Sequence, residues 1–372
     1  MACPPVDSAW LKQPTSAAHN YLPPEPLLAL HILDLLELCG SQNRAARALD
    51  LHQSTVSRCA AQIREQFRLR PQLTGGLIRY GSNDCLRLLR QAARAHRRME
   101  GLLRIGVDPL HQPLLAGLPG VLATPPLFRL SDHWAWLIDQ ALLDGAIVSS
   151  WCHPQPLPWE AIPHWPGVKA VPLGRLPLQL VSAWGSAAVA RRGGAARTAP
   201  RRPGSHAWET TAAGATTAVA AAAGEGSPLR RSPPAGAEPQ PAAIEPGRTA
   251  PNRVLLPRRG VAPRLHELFL QQGFRVEVQP QSCQEPAAWL KRLRDRRLVM
   301  PLCPALLDRQ WFRSQGLVIH PEPWRLQESL SEQLWLLLPH DLDRASEAAG
   351  AAQVPSLLQG LRQRLTQALQ AG

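Results

Sequence analysis

Residues 40–63, GSQNRAARALDLHQSTVSRCAAQI, constrain the fold of this chain more than any other stretch. Apolar residues recur at helical spacing on both sides of a short interruption. Ser41 is of the residue type that caps a helix by accepting a backbone N–H, and the small side chains of Ala45 and Ala46 allow two helices to cross closely. The pattern predicts two short helices joined by a tight turn.

The second helix of this pair has a polar leading edge. Val56, Ala60 and Ile63 are predicted to face inward. The outward residues carry hydroxyl, amide and guanidinium groups, namely Gln53, Ser54, Thr55, Ser57 and Arg58. Such groups suit contacts with base edges and phosphates, so we expect a helix-turn-helix that binds DNA, with Ser41 as a further contact. The alternative is a structural helix pair with solvated polar residues.

Ten residues of this stretch fit a known pattern without a gap: Gly40, Ser41, Ala45, Ala46, Leu49, Gln53, Ser54, Val56, Ser57 and Arg58. The stretch therefore resembles the N-terminal winged helix-turn-helix of LysR-type transcriptional regulators. Downstream, Ile63-Arg64 stands where that family usually has Leu-Glu. The resemblance implies a DNA-binding regulator with a linker helix that pairs in a dimer and a two-lobed effector-binding domain.

The flanking residues complete a winged helix-turn-helix domain predicted over residues 25–81. The apolar run 27–38 begins after Pro26 and ends before a glycine, as expected of a first helix. Residues 68–81 contain Gly and Pro and are predicted to form the wing, with three candidate DNA contacts: Arg68, Arg70 and Arg79. Residues 1–24, polar and Pro-rich, are expected to be a disordered arm.

Residues 82–101 are predicted to form a single linker helix that begins at a Ser-Asn-Asp cap. Leu86, Leu89 and Ala93 follow a heptad-like spacing on it. The resemblance to LysR-type regulators assigns these three residues to dimerisation. The alternative is a surface helix that packs on its own domain.

From residue 102 onward strands alternate with helices, which predicts an α/β domain with largely parallel sheets. The family resemblance implies a two-lobed, periplasmic-binding-protein-like domain over residues 102–372, with Asp144-Gly145-Ala146 approximating its acidic element. The chain is expected to cross between the lobes near Gly174 and near Gly316.

Residues 186–250 interrupt this alternation with Ala, Gly, Pro, Arg, Thr and Ser and almost no Leu, Ile or Val. Such a segment cannot bury enough apolar surface to offset the entropy of ordering it. It is predicted to be a disordered insertion, and a locally shifted reading frame in a GC-rich gene is the second explanation. We place no chemistry there.

Ligands of two-lobed sensors sit between the lobes, at strand ends and helix N-termini where backbone amides are free. By position, five residues are candidates for an effector site: Asp108, His111, Ser149, Ser150 and Cys303. The carboxylate of Asp108 disfavours an anionic ligand. The alternative is that all five are ordinary turn residues.

The composition narrows the function further. The net charge of +13 suggests a polyanionic partner, although only three of the 41 basic residues are lysine, and an arginine-biased proteome is an equal explanation. Seven cysteines without C-x-x-C spacing indicate neither a disulfide framework nor a zinc site, which fits a reducing cytoplasm. The N-terminus has no secretory pattern, and no apolar run approaches the roughly 20 residues of a membrane span.

The sequence carries no G-x-S-x-G, Walker, H-E-x-x-H or dinucleotide motif, so no enzyme, metal or cofactor is expected. The adjacent Cys152 and His153 would point to opposite sides of a strand.

The preferred interpretation is a cytoplasmic LysR-like regulator that binds double-stranded DNA as a homodimer or higher oligomer and senses a small molecule. One alternative is a DNA-binding protein with a degenerate, ligand-free sensor domain. Another is a solute-binding α/β protein or enzyme with a helical cap.

Overall fold

The computed structural model describes residues 21–74, 77–81, 83–124, 131–153, 164–183, 252–279, 286–307, 309–320, 330–340 and 353–371. All of them belong to one compact unit. The expectation for residues 186–250 lies outside the described residues, as does nearly all of that for residues 1–24. Tyr21, at the end of the expected arm, is buried, and its ring meets His31 edge-on at 5.5 Å.

The N-terminal part consists of helices and one hairpin, in the order α1 (Glu25–Cys39), α2 (Gln42–Leu49), α3 (Gln53–Gln66), β1 (Gln72–Thr74), β2 (Leu77–Arg79) and α4 (Asp84–Met99). The two helices expected between residues 40 and 63 are confirmed, and the antiparallel pairing of β1 with β2 supplies a wing. Leu33, Leu36 and Val56 are fully buried where α1 crosses the other helices. The apolar spacing that predicts these helices therefore also builds their core.

Residues with a left-handed backbone conformation form the turns before and after α2. Gly40 ends α1 with φ 65°, where a glycine carries no steric cost. Ser41 then caps α2 by accepting the backbone N–H of Arg44 at 3.3 Å. Asp50 ends α2 with φ 53°, a conformation that Asp tolerates better than most residues. Together these residues fix the angle at which α3 leaves the turn.

The linker helix α4 packs on its own domain. Asn83 caps it by accepting the backbone N–H of Leu86 at 2.8 Å. Leu86 and Ala93 are buried in the core of α1–α3, and Leu89 packs against that core. This corrects the assignment of Leu86, Leu89 and Ala93 to dimerisation, because the apolar face that they form is already covered within one chain.

The first lobe of the second domain is a five-stranded sheet in the order β4-β3-β5-β12-β6. Its strands are β3 (Leu103–Val107), β4 (Val121–Ala123), β5 (Gly145–Ser149), β6 (Val168–Pro177) and β12 (Ser331–Pro339). β3 runs parallel to β4 and β5, whereas β12 runs antiparallel to β5 and β6. The sheet is therefore mixed, which corrects the expectation of largely parallel sheets.

Helices cover both faces of this sheet. Ile147 and Leu336 pack on the side of α9 (Gln353–Ala371), while their neighbours Val148 and Leu337 pack on the side of α5 (Ser131–Asp139). This alternation follows from the period of two in a strand. It also explains why β3 and β5 are buried along their whole length.

The second lobe carries two smaller sheets, antiparallel β10-β7-β11 and parallel β8-β9. Its elements are β7 (Gln179–Ser182), β8 (Arg253–Leu256), α6 (Pro263–Gln271), β9 (Arg275–Val278), α7 (Pro286–Arg296), β10 (Met300–Leu302), α8 (Arg309–Ser314) and β11 (Val318–Ile319). A parallel bridge between Val254 and Val299 joins the two sheets. The α/β class with two lobes and a helical N-terminal domain is confirmed.

The crossings between the lobes lie later in the chain than expected. Gly174 is inside β6, and the first crossing is at Leu178, whose N–H donates to the carbonyl of Leu330 at 2.7 Å. Gly316 precedes β11 and remains in the second lobe. His320 still donates its N–H to Leu180 in the second lobe, whereas Leu330 pairs with Leu178. The return therefore comes after Gly316, and both expected glycine positions are corrected. None of the described helices is long and apolar enough to cross a membrane.

Candidate nucleic-acid interface and interlobe cavity

Helix α3 presents a polar surface to solvent. Gln53, Ser54 and Arg58 are exposed, while Thr55 and Ser57 are half-buried at its edge. The opposite face of α3 is held in the core, since Val56, Ala60 and Ile63 are buried. The structure therefore brings the five predicted contacts of this helix onto one accessible surface.

A second glutamine, which the sequence reasoning missed, joins this surface from α2. The side chain of Gln53 donates through Nε2 to Oε1 of Gln42 at 2.6 Å. Gln42 in turn donates through Nε2 to Oγ of Ser57 at 3.4 Å. The available signal was that Gln42 and Gln53 each open a helix of the predicted pair. Ser41, also a predicted contact, uses its hydroxyl oxygen to cap α2.

The predicted wing arginines occupy different environments. Arg68, which has φ 52°, and Arg70 are exposed beside the hairpin. Arg79 is half-buried, and its guanidinium lies 4.1 Å from the centroid of the Trp136 ring on α5. Burial lowers the pKa of Arg79, and the carboxylate of Glu37 opposes this change. Arg79 therefore contacts the second domain, while Arg68 and Arg70 face solvent.

A buried ion network ties α4 to α1. Arg90 is fully buried and donates to Asp34 at 2.8 Å and to Glu37 at 3.2 Å. Burial alone would lower the pKa of Arg90, but the two carboxylates outweigh burial and raise it. The inner face of α4 is thus charged as well as apolar.

A second buried network joins α4 to the first lobe. Asp144, just before β5, lies 3.1 Å from Nε of Arg97, 3.7 Å from Nε of Arg94 and 3.5 Å from Nε of Arg98. It also accepts the backbone N–H of Arg104 at 2.9 Å. Burial would raise the pKa of Asp144, yet the arginines keep it below its ordinary value. This acidic residue anchors the helical domain to the sheet.

A cavity of about 40 Å³ lies between the two lobes. Of the predicted effector residues, Asp108, His111, Ser149 and Cys303 line it. The fifth, Ser150, accepts the backbone N–H of Gln333 at 3.1 Å and is outside the lining. Such a volume holds on the order of three water molecules, whereas small-molecule sites measure about 300 Å³ or more.

Glu332, which the sequence reasoning missed, completes a buried chain of hydrogen bonds in this cavity. Nδ1 of His111 lies 2.9 Å from Asp108, and its Nε2 lies 2.6 Å from Glu332. Ser149 donates to the other oxygen of Glu332 at 2.5 Å. Burial would lower the pKa of His111, but the two carboxylates raise it well above its ordinary value. A carboxylate at each ring nitrogen therefore stabilises the protonated form of this imidazole.

The second lobe faces this chain of hydrogen bonds with apolar side chains, including Ala262 and Leu265. Burial raises the pKa of the Cys303 thiol to about 11, with the charge of Glu332 adding to the effect. Burial likewise raises the pKa of Cys152, so both cysteines in the lining are neutral thiols. Among the described residues, no group of three or more His, Cys, Asp or Glu side chains is placed to hold a metal ion.

Comparisons with known proteins find similarity in structure only. No protein-family model and no curated protein sequence matches this chain. ArgP from Mycobacterium tuberculosis is similar over 91% of this chain and 96% of its own, with 13% identity and a TM-score of 0.39. The full-length LTTR LysG from Corynebacterium glutamicum, solved with bound effector Arg, is similar over 90% and 97%, with 14% identity and a TM-score of 0.35.

A third similar structure is full-length CbnR in complex with its target DNA, which covers 90% of this chain and 98% of its own at 11% identity and a TM-score of 0.38. This chain resembles LysR-type regulators. Identities this low do not carry residue roles from one protein to another.

Proposed function

We propose that this chain is a cytoplasmic, LysR-like transcription regulator that binds double-stranded DNA through α3. The observation that carries the proposal is the surface of that helix. Gln53, Ser54 and Arg58 are exposed together on one side of a helix whose other side is buried. A helix with this arrangement fits a major groove, where an amide, a hydroxyl and a guanidinium reach base edges and phosphates.

Charge near α3 supports a polyanionic partner. Arg47 is exposed on α2, and Arg68 and Arg70 are exposed just after α3. Arginines that neutralise phosphates release counterions, which makes DNA binding strongly dependent on salt concentration. These arginines lie beside α3, whereas the net charge of the whole chain also reflects its arginine-rich composition.

The proposal is tested by titrating labelled duplexes from the region upstream of its own gene, at several salt concentrations. Arg58→Ala is expected to weaken binding about fivefold or more, because it removes a guanine or phosphate contact. If the contact is to a phosphate, the slope of log K against log salt also falls by about 1. Arg275→Ala is the matched control, since it removes an exposed arginine from β9 in the second lobe.

Two outcomes would count against this proposal. Wild-type protein that binds no duplex in low salt would exclude DNA recognition by α3. Equal affinity for wild type and Arg58→Ala would remove Arg58 from the interface.

We also propose that the regulator is a homodimer, paired through the outer face of α4. Leu88 and Met99 are 61% and 72% exposed there. Together with exposed Cys85, Ala92 and Ala95 they are spaced by three and four residues alternately, as in the seam of a coiled coil. A second copy of α4 is the partner that this spacing fits, because identical stripes are self-complementary about a two-fold axis.

A second candidate function is a DNA-binding regulator whose sensor domain takes no ligand. The small interlobe cavity favours it, as does the internal pairing of Asp108, His111 and Glu332. A small-molecule effector in this cavity would require the lobes to part and these groups to exchange partners. Thermal-shift screening with amino acids and small carboxylates distinguishes the two candidates, because a ligand that binds only the folded chain raises its melting temperature.

A further inference from the structure

Two glutamine side chains meet where α2 and α3 begin. Nε2 of Gln53 lies 2.6 Å from Oε1 of Gln42, which is a good hydrogen-bond distance. Gln53 is exposed and Gln42 is half-buried, so the pair lies at the edge of the proposed DNA surface. Their contact restrains a side chain that would otherwise sample many rotamers in solvent.

The contact also determines which hydrogen-bonding groups of the Gln53 amide remain available to a base. A glutamine amide has two N–H donors and one carbonyl acceptor. One donor of Gln53 is used by Gln42, which leaves one N–H and the carbonyl oxygen to face outward. Adenine presents a complementary pair in the major groove, the N7 acceptor and the N6 donor.

Gln42 is itself oriented by a third residue. Its Nε2 donates to Oγ of Ser57 at 3.4 Å, one turn further along α3. Its carbonyl oxygen is thereby left to accept from Gln53. The order of donors runs from Gln53 to Gln42 and from Gln42 to Ser57, so the amide of Gln53 is oriented before any DNA arrives.

We propose that Gln42 is a positioning residue that holds Gln53 ready to recognise an adenine, and that it thereby sets sequence preference at one base pair. The inference rests on the proposed function. It deepens that function by naming adenine as the base that Gln53 contacts and Gln42 as the residue that orients Gln53. Ordering Gln53 in advance reduces the entropy lost on binding. It also disfavours the reversed amide, which would present only N–H donors to the base.

The experiment begins with a preferred duplex selected by wild-type protein from a random-sequence pool. Single base-pair changes in that duplex then locate the position at which Gln53→Ala abolishes discrimination. We expect this position to carry adenine in the wild-type site, preferred by about fivefold or more. Gln42→Ala is expected to reduce the same preference towards onefold, while affinity for the duplex that lacks this adenine changes less than twofold.

Gln42→Glu distinguishes positioning from loss of packing. A glutamate side chain can still accept from Nε2 of Gln53, so it keeps the carbonyl oxygen of Gln53 outward. We expect the adenine preference to survive in Gln42→Glu, although overall affinity falls because a negative charge is added near phosphates. Gln271→Ala, at an exposed glutamine on α6, is the control and should alter neither quantity.

The possible results separate the two proposals. If wild type selects no sequence at all, the proposed function fails. If Gln53→Ala removes an adenine preference that Gln42→Ala leaves intact, the proposal that α3 binds specific DNA is supported. The positioning role of Gln42 is then overturned. Loss of the preference in Gln42→Glu to the same extent as in Gln42→Ala would also overturn it.

Discussion

At the scale of single residues, the most heavily constrained group is the imidazole of His111. It contacts the carboxylates of Asp108 and Glu332 at 2.9 Å and 2.6 Å in a site closed to solvent. The thiols of Cys152 and Cys303 line the same cavity and stay neutral. No other titratable side chain appears in the described lining, so His111 and its two carboxylates set the charge there.

The fold should therefore lose stability in alkaline solution through this group. Because the pKa of His111 is higher in the folded chain than in the unfolded chain, its protonated form stabilises the fold fully below pH about 6.5. This stabilisation is lost as the pH rises through the folded-state pKa. Glu332→Gln is expected to lower the free energy of unfolding by about 2 kcal/mol near pH 6 and to flatten its pH dependence.

Urea unfolding between pH 6 and pH 9 measures both quantities. Glu267→Gln is the matched control, because Glu267 forms an ion pair with Arg264 that is partly exposed. It is expected to change stability by less than about 0.5 kcal/mol at every pH. Parallel pH profiles for wild type and Glu332→Gln would show that the imidazole is not stabilised by Glu332.

At the scale of elements, α4 shows which features of a helix its sequence can predict and which it cannot. Its length, its Asn83 cap and its heptad-like spacing were all predictable. Two stripes offset by one position share that spacing, however, and the sequence could not tell which one faces inward. The inner stripe includes buried Arg90 and Arg97, whose partners Glu37 and Asp144 are far away in the chain. Long-range ion pairing reversed the ordinary expectation that charge faces water.

The contact between α4 and the first lobe gives a prediction for Asp144. Asp144→Asn leaves Arg94, Arg97 and Arg98 without their shared anion, and removing one side of a buried ion pair costs about 3–5 kcal/mol. Asp84→Asn is the control, because Asp84 pairs with Arg87 at the surface of the same helix. Chemical denaturation of both variants measures the difference. Similar midpoints for the two would mean that the arginines are satisfied without Asp144.

The interlobe cavity shows the same limit of sequence reasoning. Asp108, His111, Ser149 and Cys303 could be placed there because each lies at or soon after the end of a strand that was itself predictable. Glu332 could not, since it is 221 residues from His111 in the chain, and the antiparallel register of β12 decides its position. Local patterns locate strand ends, but they do not state which distant strand lies beside them.

At the scale of the whole molecule, dimerisation gives a prediction for the outer face of α4. Leu88→Glu places a charge in the proposed seam, so the protein is expected to sediment as a monomer. Its affinity for a duplex with two half-sites should fall, while its affinity for one half-site stays the same. Leu369→Glu is the control, because Leu369 is 50% exposed on α9. A Leu88→Glu protein that sediments as a dimer would contradict pairing through this face.

The Asp144 network has a mechanical consequence for the assembled protein. Arg94, Arg97 and Arg98 hold the end of α4 against the sheet through Asp144. Only a few residues separate α4 from β3. The helical N-terminal domain and the first lobe are therefore expected to rotate together as one rigid body. In the proposed regulator, a rotation of the first lobe would therefore change the direction of α3 on the DNA, because no flexible joint lies between them at the end of α4.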